Sequence, residues 1–107
     1  MDNDTIAQAR RAGMRWLILL VLNNARPTSY SLRPVFDVVQ SQYPDVSRQE
    51  LCAELDYLEK RELVQITRRP DGDWSCSLTR YGIDMAEYTI DCEPGIARPS
   101  KTFWGGA

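Results

Sequence analysis

Apolar residues recur at helical spacing over about residues 4–24. Ile6, Ala9, Gly13, Trp16 and Leu20 mark one face, and Met14, Ile18, Val21 and Leu22 mark a second. The second half of this helix is apolar nearly all round. It must therefore be covered on more than one side, by the rest of its own domain or by a second subunit. Asn23 and Asn24 are suitable C-terminal stops, and Pro27 prevents continuation. The polar stretch Pro27-Thr28-Ser29-Tyr30-Ser31 leads into a second helix over about 31–43. Pro34 falls in its first turn, where a missing N–H is harmless, and Leu32, Val35, Phe36, Val38 and Val39 form its buried side.

A third helix is predicted over about 47–61. Ser47 and Glu50 have the spacing of a capping box, and Val46 is placed to staple onto Leu51. Leu51, Leu55 and Leu58 follow as one buried stripe. The period then changes. Residues 63–68 read as a strand, and Trp74-Ser75-Cys76-Ser77-Leu78 alternates apolar and polar as a second strand over 74–78. Arg69-Pro70-Asp71-Gly72-Asp73 between them carries turn residues. Thr79 caps a last helix over about 79–88 containing Ile83, Met85 and Ala86. Residues 91–107, with Pro94, Gly95, Pro99, Gly105 and Gly106, read as an extended tail. A lone two-stranded hairpin is barely stable, so Val64, Ile66, Cys76 and Leu78 must pack on the helices. The order α-α-α-β-β-α, mainly α with a small β-hairpin, is that of a winged helix-turn-helix domain occupying residues 1–90.

The chain of 107 residues has room for one core. It has no histidine, and its three cysteines, Cys52, Cys76 and Cys92, stand far apart. That pattern supplies neither a disulfide framework nor zinc-ligand spacing, so reduced, packing thiols and no metal are expected. There is no phosphate-cradling glycine loop and no Ser/His/Asp set, so neither catalysis nor a cofactor is expected. The apolar run from Trp16 to Leu22 is too short for a membrane span, and Asp2 and Asp4 replace the basic start of an export signal. The reading is a cytoplasmic protein without a membrane partner.

The formal net charge of −2 is unevenly distributed. Arg10, Arg11, Arg15, Arg26 and Arg33 outnumber Asp2 and Asp4 in the first third. Acids dominate residues 35–62, and Arg68 and Arg69 sit at the hairpin. In a DNA-binding reading the third helix enters the major groove. Arg48 and Gln49 in its first turn suit guanine and adenine edges, and Arg68 and Arg69 meet the backbone or minor groove. Arg10, Arg11 and Arg15 would add attraction to phosphates.

Against this, the third helix carries Glu50, Glu54, Asp56 and Glu59, with Glu54 expected on the surface, and carboxylates facing phosphates oppose binding. A protein-docking role on the same scaffold is the alternative. Trp16, Leu17, Leu20 and Val21 are candidates for a homodimer contact through the first helix. Phe103 and Trp104, an aromatic pair in a polar tail, are candidates for docking onto a partner.

The stretch VSRQELCAELDYLEKRELVQI resembles the recognition-helix region of winged helix proteins, and LTRYGIDMA resembles the turn after the wing. With PGIARPSK near the end, residues 14–101 resemble a family of small Mu-like bacteriophage and prophage proteins. The resemblance implies phage origin and a place in gene control or particle assembly, with double-stranded DNA or another phage protein as partner. One departure is Glu62, where related sequences often have Gly at the end of the third helix. A left-handed backbone there would cost a non-glycine residue about 1 kcal/mol.

Overall fold

A computed structural model describes residues 2–101. Helix α1 spans Asn3–Ala25, opened by the Asp2 carboxylate, which accepts the Thr5 N–H at 2.8 Å. Helices α2 (Leu32–Gln42), α3 (Arg48–Lys60) and α4 (Arg80–Ala86) follow. Ser47 Oγ accepts the Glu50 N–H at 3.0 Å, and Thr79 Oγ1 accepts the Gly82 N–H at 3.0 Å, so the caps start α3 and α4 where the sequence places them. The Ser47–Glu50 box is only half made. The Glu50 carboxylate turns away to Arg10 instead of returning to the Ser47 backbone.

The C-termini of α3 and α4 are built alike. The Leu63 N–H reaches the Leu58 carbonyl at 3.0 Å and the Glu62 N–H reaches that of Glu59 at 2.9 Å. At α4, Thr89 bonds Asp84 at 2.8 Å and Tyr88 bonds Met85 at 3.4 Å. Both are Schellman closures, which need a left-handed residue just past the helix. That residue is Glu62 in one and Tyr88 in the other, each at φ 63°. The left-handed backbone suspected at Glu62 is therefore present, without the glycine that would relieve it.

Strands β2 (Val64–Arg68) and β3 (Trp74–Leu78) pair antiparallel, with Ile66 opposite Cys76 and Arg68 opposite Trp74. A third strand, β1 (Tyr30–Ser31), pairs with the other edge of β3, giving the order β1-β3-β2. The stretch before α2 reads as a polar lead-in. Two residues are too few for alternation to register, and pairing with β3 is a long-range event. Val64, Cys76 and Leu78 are buried and Ile66 packs against the same core. Met14, Ile18, Leu19, Leu51, Leu55 and Leu58 are fully enclosed at its centre.

The segment after α4 is irregular but not detached. Ile96 is buried, and the Ala97 N–H donates to the Ala12 carbonyl at 3.1 Å. Arg98 Nη1 donates to the carbonyls of Met85 and Ile90 at 2.9 and 2.8 Å. Tyr88 stands edge-on to Trp16 at 6.0 Å and donates its hydroxyl to the Pro99 carbonyl at 2.6 Å. This strap is what covers part of α1. The chain is a winged helix-turn-helix domain. Among the described residues no helix is long and apolar enough to cross a membrane, and no cluster of His, Cys, Asp or Glu is placed to hold a metal ion.

Candidate nucleic-acid interface

The first turn of α3 and the tip of the β2–β3 wing lie together. Arg48 Nη2 donates to the Gly72 carbonyl at 2.6 Å. The tip is tight: the Arg69 N–H bonds the Asp73 carbonyl at 2.9 Å, and the Gly72 N–H bonds that of Arg69 at 3.0 Å. Gly72 sits at φ 88°, a conformation that favours glycine. Arg48, Gln49 and Arg69 are all exposed, and among the described residues no carboxylate pairs with the Arg48 or Arg69 guanidinium. Beside them a cavity of about 340 Å³ is lined by Leu32, Arg33, Phe36, Arg48, Leu51 and Asp73. Arg33 stands at the start of α2 with its side chain 84% exposed, its Nε 3.5 Å from Oδ1 of the exposed Asp37 one turn on. It belongs on this surface, although the sequence reading left it out. Its position in the first turn of the second helix was the available signal.

The other arginines proposed for DNA are committed elsewhere. Arg10 makes a forked pair with Glu50 at 2.9 and 3.0 Å, also reaches Asp45 at 3.0 Å, and lies over the Tyr43 ring. The hydrogen bond from Arg10 lowers the Glu50 pKa, and the same bond raises that of Arg10. Arg15 is buried against Glu54 at 2.6 Å, stacks on Tyr57 at 3.5 Å and donates to the Gly95 carbonyl at 3.0 Å. The expected exposure of Glu54 is overturned: it is 4% accessible, because Arg15 pulls it into the α1–α3 seam. A phosphate has no access to Arg15. Arg11 is half-buried on α1, and among the described residues no carboxylate pairs with it.

Arg68 is held at the wing by α3. Its Nη2 lies 2.7 Å from Asp56 Oδ1 and 2.9 Å from Glu59 Oε1, its Nη1 lies 3.0 Å from Glu59 Oε2, and its guanidinium covers the Trp74 ring at 4.4 Å. The hydrogen bond from Arg68 lowers the Glu59 pKa. Cys52, half-buried on the same helix, has its thiol pKa raised by burial, with Arg48 opposing. It is no activated nucleophile.

The residues considered for a dimer contact divide. Trp16 and Val21 are each 7% exposed and belong to the core of their own chain, with Tyr88 edge-on to Trp16, whereas Leu17 and Leu20 are half-buried and pack on the core's edge. Phe103 and Trp104 lie outside the described residues.

No family model and no curated protein matches the chain. A solved structure does: a protein of Ralstonia eutropha JMP134 named as a putative DNA-binding protein, at TM-score 0.61 and 24% identity, over 73% of this chain and 95% of that one. The likeness is one of fold.

Proposed function

We propose that this domain binds double-stranded DNA with weak sequence preference, through the first turn of α3 and the wing tip. The observation that carries the reading is the Arg48–Gly72 bond, which fixes recognition-helix start and wing tip as one surface bearing Arg48, Gln49, Arg69 and Arg33. A helix N-terminus beside a backbone-touching wing is the arrangement winged helices use on a duplex. The name of the structural neighbour points the same way. Arg10 and Arg15 are left out of the contact set, because part-buried and buried carboxylates hold them, whereas the Arg33–Asp37 contact is open to solvent. Few free cations on an acidic protein give modest, salt-sensitive affinity. The resemblance to Mu-like prophage proteins supports a role as a regulator or packaging accessory in the bacterial cytoplasm, and the half-buried Leu17 and Leu20 at the edge of α1 support a homodimer. Fluorescence anisotropy with a mixed-sequence duplex at about 50 mM salt tests it: binding that weakens as salt rises is expected, and no binding there removes the reading.

A second reading has one observation in its favour: the carboxylates that already occupy Arg10 and Arg68. A surface so neutralised suits a protein partner better than a polyanion, and makes an adaptor role on a phage protein the rival. Retention of the chain by a phage protein but not by duplex would decide for it.

A further inference from the structure

The wing carries two adjacent arginines with opposite fates. Among the described residues Arg69 pairs with no carboxylate, whereas Arg68 is gripped by Asp56 and Glu59 of α3 and capped by Trp74. The Glu59 carboxylate bonds both Nη atoms of Arg68, the forked pairing a phosphate also makes, and Asp56 adds a third oxygen. We propose that Asp56 and Glu59 act as an internal phosphate mimic, holding Arg68 in an intramolecular contact that a DNA phosphate must displace. The inference rests on the DNA reading above and adds a device to it: the wing is self-competed. Moving Arg68 to a phosphate exchanges one charge-assisted pairing for another and leaves two carboxylates bare beside the polyanion, so the transfer gains little. The lock therefore caps the affinity of the surface and leaves Arg48, Gln49 and Arg69 as the contacts in use.

Full-length D56N/E59Q separates this from a plain change in charge. The substitutions keep side-chain shape at positions that are 48% and 36% exposed, so the fold is retained. The control E62Q/D91N removes as many negative charges at exposed positions that hold no arginine. Anisotropy on the same duplex should show D56N/E59Q binding about tenfold tighter than the control at about 50 mM salt. The slope of log K against log salt should steepen by about 0.9, one further phosphate. Adding R68A to D56N/E59Q should abolish both gains. If D56N/E59Q merely matches the control while the unmodified protein binds, the lock is refuted and the DNA reading stands. If the unmodified protein does not bind duplex, the DNA reading falls and the lock with it.

Discussion

Arg15 Nε lies 2.6 Å from Glu54 Oε1, with only 12% and 5% of the two side chains exposed, and the pair bridges α1, α3 and the strap through the Gly95 carbonyl. A buried pair of this kind adds little net stability over an apolar replacement, but breaking it strands a charge. Arg15→Ala or Glu54→Ala should each cost about 3 kcal/mol in urea unfolding. Arg15→Met combined with Glu54→Leu should cost less than either. Equal, additive losses would show that the two side chains do not depend on one another.

Glu62 closes α3 at φ 63°, where a β-carbon crowds the following carbonyl. Glu62→Gly should raise stability by about 1 kcal/mol, and the thermal midpoint by about 5 °C. Tyr88 has the same φ, yet its ring meets Trp16 and its hydroxyl holds Pro99, so Tyr88→Gly should destabilise. Opposite signs at two identical backbone angles separate strain from packing. A loss at both positions would mean the left-handed residues carry no strain worth relieving.

Gly82, the third residue of α4, lies so close to the Leu63 carbonyl that a β-carbon there would overlap it. Backbone cannot yield as a flexible side chain does. Gly82→Ala should therefore cost about 2 kcal/mol despite the better helix propensity of alanine. A neutral or stabilising result in denaturant titration would show that α4 can shift away from β2 at no cost.

Local and periodic features were the legible part of the chain. The Leu51–Leu55–Leu58 stripe, the alternation of Trp74–Leu78 and the Ser47 and Thr79 caps are short-range patterns, and the helices and wing stand where those patterns put them. The arginines could not be read the same way. Arg10 and Arg15 meet Glu50 and Glu54, which lie 40 and 39 residues away, so nothing near either arginine in sequence reveals that its charge is taken. The same blindness hid the strap over α1. An all-round apolar helix admits cover from its own chain or from a second subunit, and only the path of residues 88–101 shows how far the chain covers its own.

That strap rests on Ile96, 7% exposed, and on Arg98, which satisfies two carbonyls at the end of α4. Ile96→Ala should cost about 2–3 kcal/mol. Arg98→Met removes the guanidinium over the Tyr88 ring and orphans the Met85 and Ile90 carbonyls, and should cost about 1–2 kcal/mol. In hydrogen exchange, either change should raise turnover at the Ala97 amide before it does so in α3. Unchanged protection at Ala97 would show that the strap is held by something other than these two residues.

The pH profile of stability should have two limbs. On the acid side, the hydrogen bond from Arg10 depresses the Glu50 pKa and that from Arg68 depresses the Glu59 pKa. A carboxylate whose folded pKa lies below its unfolded one contributes stability that is complete above the unfolded value, about 4.3, and is lost as pH falls through the folded value. On the alkaline side, burial pushes the Cys76 thiol up to about 11. The unfolded thiol ionises near about 8.5, so this contribution is complete below that pH and is lost as pH rises toward 11. Urea midpoints from pH 3 to 10 should therefore fall at both ends. Glu50→Gln with Glu59→Gln should flatten the acid limb and leave the alkaline one, while Cys76→Val should leave the acid limb and make the alkaline one shallower, with the raised Cys52 and Cys92 thiols carrying what remains. An acid limb that persists unchanged in the glutamine variant would assign acid lability to other carboxylates and leave the Arg10 and Arg68 pairs without a part in it.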